Sequence, residues 1–488
     1  MHLSDLADGT LDTIKTAGSY LSRLATPIVR LGVTGFAQSG KTVFITALAR
    51  TLMRGGRLPF FDAYANGRVL RAYLEPQPDD SVPRFDYERH LAALERDPPE
   101  WPESTRRLSQ LRVTVEYQPT GRLRRAMGRG RLHIDIVDYP GEWLIDLALL
   151  EQSYEDWSRQ AVAQAYNPVR AKAAGPWLAT LAALDPAAPQ DEQKALEAAK
   201  VFTAYLRAAR EAEPALSTVG PGRFLMPGDL EGSPLLTFVP LVTPDGWTPP
   251  HGTLSAMMAR RFASYKSHVV KPFFRDHFSR LDRQIVLVDA LAAVNAGAAA
   301  VGELTRALEA SLRAFRPGAK SWLAPLLGRR VDRILYAAAK TDHLPQSSHD
   351  RLEAILRLMT ERAAARASFA GAEVRVLALA ALRATSEVEA QHGSECLPCI
   401  RGVPMAGERL GTRLFDGRTE VAIFPGDLPA DLRSMLERSE SAADNWNVRF
   451  VRFRPPRLAN SRGNGELHPW PHIRLDRALD YLIGDRLA

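Results

Sequence analysis

Two apolar rhythms alternate along the 488-residue chain. Short runs of strand length occur at Ile28–Thr34, Leu111–Tyr117, Leu132–Val137, Gln284–Asp289, Ile334–Ala338 and Glu373–Leu379. Near-continuous apolar runs of this kind are what strands buried on both faces show. Between and after them, apolar residues recur at helical spacing over Thr42–Met53, which stops at Gly55-Gly56, near 300–316, and over Asp476–Leu487. Strand and helix periods in this order predict an α/β fold with a mostly parallel central sheet flanked by helices.

Three stretches depart from that alternation. Residues 55–110 are rich in proline and charge. From Trp143 to about Arg280 the chain is helical with few strand signals, interrupted by the Pro/Gly segment 214–235. From about 395 short strands and turns take over. The expected organisation is an N-terminal amphipathic helix over 1–27, a first core part over 28–142, a helical insertion over 143–280 and a second core part over 281–394. A β-rich elaboration over 395–472 and a closing helix over 473–488 complete it.

The turns at the strand ends carry the chemistry. After the first strand stands GVTGFAQSGKTVF, in which Gly35, Gly40, Lys41 and Thr42 satisfy the phosphate-loop pattern G-x-x-x-x-G-K-[ST] between a strand and a helix. Such a loop wraps backbone N–H groups around phosphate oxygens, and glycine permits the dihedrals and the close approach. Ala37, Gln38, Ser39 and Val43 complete the expected phosphate-binding surface. Lys41 would reach the β- and γ-phosphates, and the Thr42 hydroxyl would ligate Mg²⁺. At the end of the strand Leu132–Val137 stands Asp138-Tyr-Pro-Gly141. There Asp138 would hold Mg²⁺ through a water, and the Gly141 N–H would meet the γ-phosphate. The strand Ile334–Ala338 ends in Ala339-Lys340-Thr341-Asp342-His343. An Asp in a K-x-D sequence accepts from N1–H and N2–H₂ of guanine, donors that adenine lacks, so Asp342 would be left unpaired against adenine. Ala339 stands where Asn or Thr is usual, which puts the rigidity of this loop in question. After Glu373–Leu379, Ala381 and Leu382 are placed to offer a backbone N–H to the guanine O6. A switch threonine is expected just before Leu111–Tyr117; Thr105 is the candidate, with Ser104 as the alternative.

The order phosphate loop, D-x-x-G, K-x-D and Ala-rich strand end resembles the Ras-like GTPase core. The wording GFAQSGKTVF, VDYPGEW, AKTDH, ALRAT and IFPGDLP (423–429) is similar to the YcjX-like family of bacterial P-loop GTPases, from about residue 20 to the C-terminus. That resemblance implies bound GTP or GDP with Mg²⁺ and a large helical insertion in the core. It further implies a setting in envelope stress beside a membrane protein. The insertion also emerges directly from spacing, since about a hundred residues separate Gly35 from Asp138, and the helical region follows Gly141 at once. A lid or partner-binding role, moving with γ-phosphate state, is the economical reading.

Composition adds limits. Hydrophobic residues make up 45 % and charged residues 24 %, as in ordinary globular chains. The formal charge of +7 comes almost wholly from arginine, because the sequence holds nine lysines; Lys41 and Lys340 are two of these scarce residues. Two cysteines, Cys396 and Cys399, cannot build a disulfide framework, and one isolated C-x-x-C is a weak metal signal. With no apolar run of membrane length and no basic-then-apolar leader, a cytoplasmic protein is expected, with peripheral association at the inner membrane as the variant. Basic clusters at Arg122, Arg124, Arg125, Arg129 and Arg131 and at Arg449, Arg452 and Arg454 read first as solvated hairpin and edge-strand charges. Anionic lipid is their alternative partner, and no specific nucleic acid is expected.

The expected activity is GTP hydrolysis, with Lys41, Thr105, Gly141 and Glu142 as the catalytic set. Glu142 stands where many GTPases carry a water-orienting Gln. A carboxylate near the γ-phosphate repels it, so slow intrinsic turnover is expected, helped by a partner, a dimer contact or an arginine of the insertion. A P-loop ATPase without guanine specificity and a GDP-binding scaffold with little turnover remain as alternatives.

Overall fold

A computed structural model describes residues 26–488 apart from 37, 104–106, 122–124, 126–127, 167, 213–219, 316–330, 370, 393, 430–432, 434–448 and 459–467. Ala37, Ser104, Thr105, the segment Leu6–Leu24, Arg122 and Arg124 therefore lie outside the described residues.

Seven strands form the central sheet: β1 (Ile28–Gly35), β2 (Val69–Glu75), β3 (Ser109–Tyr117), β4 (Gly130–Asp138), β5 (Arg283–Val288), β6 (Arg333–Ala338) and β7 (Glu373–Ala378). Their spatial order is β2-β3-β4-β1-β5-β6-β7. β4, β1, β5, β6 and β7 run parallel, whereas β2 and β3 are antiparallel additions at one edge. The fold is thus the α/β arrangement that the periodicity predicts. β2 is a strand that the charge-rich stretch 55–110 did not announce. Its side chains are only partly buried, as suits an edge, and Arg71 on it pairs with Glu116 of β3 at 2.8 Å.

Apolar strands pack helices on both faces. On one face lie α1 (Lys41–Arg54) and the C-terminal helix Leu475–Ile483, sharing a core with Val29, Leu31, Ile134, Ile285 and Leu335. On the other face the core runs without a break from Val286, Val288 and Tyr336 into the helices between Glu142 and Arg280. Strand alternation explains this split, because neighbouring residues of β5 point to opposite faces. The helical region adds an aromatic cluster of its own, with Trp157 stacked on Phe262 at 5.0 Å and Trp177 on Tyr205 at 5.1 Å. Among the described residues no helix is long and apolar enough to cross a membrane.

Because the core strands are parallel and enter from one side, β1, β5 and β6 end at the same edge. In register, Gly35 lies beside Leu287 and Val288 beside Ala338. β4 ends there too, with Asp138 opposite Val33. Loops after the C-terminal ends of parallel strands are where such sheets place ligands.

Candidate nucleotide site

The loop after β1 is built to receive an anion. Gln38 and Gly40 both adopt left-handed backbone, with φ of 62° and 86°. Ser39 N–H closes a tight turn on the Phe36 carbonyl at 3.1 Å. A Cβ at Gly35 would meet the Leu287 carbonyl oxygen at 2.4 Å, so the loop lies against β5. α1 begins at Lys41 with no side-chain cap and no acid in its first turn. Phe44 N–H is the first to bond back into the helix, to Gly40 O at 2.9 Å. The amides of Lys41, Thr42 and Val43 at this N-terminus, with the positive end of the helix dipole, suit phosphate. Ser39 Oγ is buried here without a hydrogen-bond partner, a further polar atom that an anion would satisfy. Lys41 folds over the loop, and its Nζ donates to Gly35 O at 2.7 Å.

D-x-x-G meets this loop from β4. Gly141 is so close that a Cβ on it would stand 2.4 Å from Gly35 O and 2.9 Å from Phe36 N. Asp138 is 1 % exposed at the strand end. With the Thr42 hydroxyl it supplies hard oxygen donors, the chemistry Mg²⁺ takes; that ion completes its octahedron with waters and phosphates rather than with an all-protein cage. Among the described residues no group of three or more His, Cys, Asp or Glu could hold a metal by itself. Thr42 Oγ1 donates to the Glu103 carbonyl at 3.4 Å, so the chain just before Thr105 approaches the same spot.

The K-x-D loop arrives from β6 and closes the other end of one cavity of about 300 Å³. Gln38–Val43 lines its phosphate side, and Lys340, Asp342, His343, Ala381 and Leu382 line its far side. Lys340 holds a left-handed φ of 58°, with Nζ 2.5 Å from Asp289 at the end of β5. Asp342 is 4 % exposed, and its Oδ2 accepts from Ala384 N–H at 2.7 Å. Ala339, where the sequence lacks the usual Asn or Thr, is compensated by other ties. Thr385 Oγ1 donates to Asp342 O, Thr341 N–H donates to Leu379 O at 3.3 Å, and Ala339 N–H donates to Val288 O at 2.9 Å. Burial holds the His343 imidazole below its ordinary pKa, so the ring is neutral at physiological pH.

A family model described as "YcjX-like family, DUF463" matches residues 29–487. The chain belongs to the YcjX-like family. It is 36 % identical over 469 residues to "Ras-like GTPase YcjX" of Escherichia coli (strain K12), covering 94 % of this chain and 96 % of the relative. To the protein of the same name from Shewanella oneidensis (strain MR-1) it is 34 % identical over 498 residues, with 96 % of each chain covered. The match runs from β1 through the helical region to the C-terminal helix.

Several site features escaped sequence reading. Glu142 is buried at the start of helix Glu142–Leu149, and its Oε1 lies 3.9 Å from Arg210 of the helix Glu192–Ala212. Residues farther along the helical region hold its first helix, Glu142–Leu149, directly. Asp146 accepts from Gly222 N–H and from Tyr265 O–H, both at 2.7 Å, and from Arg223 N–H at 3.3 Å. The Arg223 guanidinium sits 3.3 Å over the Trp143 ring. Gly222 is pressed so closely that a Cβ there would meet Glu142 O at 2.2 Å. Cys396 and Cys399 stand three residues apart on one strand, Glu395–Gly402, one exposed and one buried. An odd spacing on a strand sends two side chains to opposite faces, which suits neither a shared metal nor a disulfide. Arg131 pairs with Glu116 at 3.1 Å and Arg452 with Glu408 at 2.7 Å, so these members of the basic clusters are matched by acids of the chain itself.

Proposed function

We propose that this protein binds GTP with Mg²⁺, hydrolyses it slowly to GDP, and uses the bound nucleotide to set the arrangement of its helical insertion. The observation that carries this reading is the meeting of three remote motifs on one cavity, through Gln38–Thr42, through Lys340 and Asp342, and through Ala381 and Leu382. The Asp342 carboxylate, oriented by Ala384 N–H, accepts the two guanine donors, and adenine would strand it. Lys41 and the amides of α1 stabilise charge on the transferring phosphoryl. When bound, Mg²⁺ would be held by Thr42 and Asp138, with Thr105 as the third ligand, and would neutralise phosphate charge. Gly141 N–H faces the γ-phosphate position, and Glu142 orients the attacking water. Arg210 offsets the charge of Glu142, which tempers the repulsion that a carboxylate exerts there. The family relatives carry the name Ras-like GTPase, which agrees with this chemistry.

The switch follows from the grip on Gly141–Asp146. Any shift of Glu142 on γ-phosphate binding must displace Gly222 or be resisted by it, because no space separates them. The insertion then presents a different face to a protein partner in the two nucleotide states, in the stress-response setting that the family resemblance implies. The test is phosphate release from GTP and from ATP by the full chain. The proposal predicts slow release from GTP, none above background from ATP, and loss of release in Lys41→Ala. Equal release from both nucleotides would refute guanine selectivity.

A further inference from the structure

The far end of the cavity is walled by two segments outside every recognised motif. Trp101 and Pro102 come from the stretch before β3, and Met405, Arg452 and Phe453 from the C-terminal β-rich part. These segments are tied to each other across 352 residues of sequence: the Trp101 indole Nε1–H donates to the Phe453 carbonyl at 2.7 Å. Beside it the Arg454 guanidinium donates to Pro99 O at 3.4 Å and to Gly417 O at 2.9 Å. The anchor is firm. Phe453 is 2 % exposed in a small core with Ile400, Phe415 and Val451, and its ring stands edge-on to His343, with centroids 5.2 Å apart. Backbone bonds from Met405 N–H to Arg452 O at 2.7 Å and from Arg454 N–H to Val403 O at 2.8 Å fix the strap on either side.

The other end of the same stretch reaches the phosphate side, where Glu103 O accepts from the Thr42 hydroxyl. Trp101 and Pro102 therefore line the cavity within a stretch, Pro99–Glu103, that is fastened to the C-terminal part at one end and to α1 at the other. We infer that Trp101, held by Phe453, is a clasp over the bound guanine nucleotide, and that the C-terminal β-rich part governs nucleotide release by holding that clasp. This rests on the guanine-nucleotide reading above. A nucleotide lying between the phosphate loop and Asp342 has the Trp101–Phe453 contact on its way out. Breaking that contact costs one hydrogen bond and the packing of an aromatic ring, both realised only while the clasp is shut. Opening is then the step that limits release, as lids do in many nucleotide enzymes.

The test loads the full chain with N-methylanthraniloyl-GDP and follows its release into excess unlabelled GDP by stopped flow. Trp101→Phe keeps a ring and removes the donor; release should quicken roughly 2- to 10-fold, the worth of one neutral hydrogen bond. Trp101→Ala removes ring and donor and should release at least about tenfold faster. Arg454→Ala, which frees Pro99 while leaving Trp101, should also quicken release. Association rates should change far less than release rates, and the thermal midpoint of the nucleotide-free protein should fall in Trp101→Phe by no more than the loss of one hydrogen bond accounts for. Release unchanged in all three variants, from a wild type that binds the labelled GDP, would overturn the clasp and leave the nucleotide site standing. A lowered thermal midpoint with unchanged release would reduce the contact to a structural tie and also overturn the clasp. Failure of the wild type to bind labelled GDP would overturn the nucleotide reading and the clasp with it.

Discussion

Replacing Asp146 by Asn should flatten a pH dependence that the packing of the helix Glu142–Leu149 on Gly222 and Tyr265 imposes on this chain. Asp146 is buried where the helix Glu142–Leu149 packs on Gly222, Arg223 and Tyr265, and burial raises its carboxyl to about 6 despite hydrogen bonds from Tyr265, Gly222 and Arg223. In the unfolded chain the same group titrates near 3.8. Between these values the folded protein holds a proton that the unfolded one has lost, so stability falls as pH rises through the window from about 4 to about 6. Two units at about 1.4 kcal/mol each give roughly 3 kcal/mol, fully imposed above pH 6 and absent below pH 4. Asn keeps the acceptor facing Gly222 N–H and carries no charge; it sacrifices one acceptor, at about 1 kcal/mol at every pH. The difference in unfolding free energy between variant and wild type should therefore move by about 3 kcal/mol in favour of the variant from pH 4 to pH 7. Urea unfolding followed by tryptophan emission reads it, since Trp143 and Trp157 lie in this core. A constant difference across that range would show that the Asp146 carboxyl is not displaced, and the account of this contact would fail.

Two further substitutions probe the phosphate side. Gly141→Ala forces a Cβ within 2.4 Å of the Gly35 carbonyl oxygen. Backbone lies on both sides of that clash, so nucleotide affinity should fall by at least about tenfold, and stability by about 1–3 kcal/mol; calorimetric titration with GDP and a thermal melt check the two parts. Arg210→Ala leaves Glu142 buried without the guanidinium at 3.9 Å. It should lower the single-turnover rate of GTP hydrolysis severalfold, by about 1 kcal/mol, while GDP affinity holds. An unchanged rate would remove Arg210 from the account.

Much of this site is legible in sequence because each motif sits at the end of a parallel strand, and parallel strands bring their ends together whatever lies between. Gly35, Asp138 and Asp342 come within one edge of the sheet through β1, β4 and β6, each announced by an apolar run and a polar stop. What sequence does not announce is contact across long separations. The Trp101–Phe453 bond, the approach of Arg210 to Glu142 and the packing of Gly222 on Glu142 all depend on how remote segments fold back, and none has a local period. The strand Val69–Glu75 is hidden for a different reason. As an edge it buries only part of its side chains, so charge and proline around it mask the alternation. Ala339 shows the reverse case, where a departure from a familiar motif is made good by Thr385 and Lys340, residues whose compensating role needs the fold to be seen.

Guanine specificity of the site is read by a parallel titration of labelled GDP and labelled ADP, with Mg²⁺, on the native chain and on Asp342→Ala. GDP should bind tightly, ADP more weakly by about a thousandfold or more, and the GDP preference should disappear in Asp342→Ala. Equal binding of GDP and ADP, unaffected by the substitution, would contradict guanine specificity and make Ala339–Asp342 a plain loop beside an unselective phosphate site.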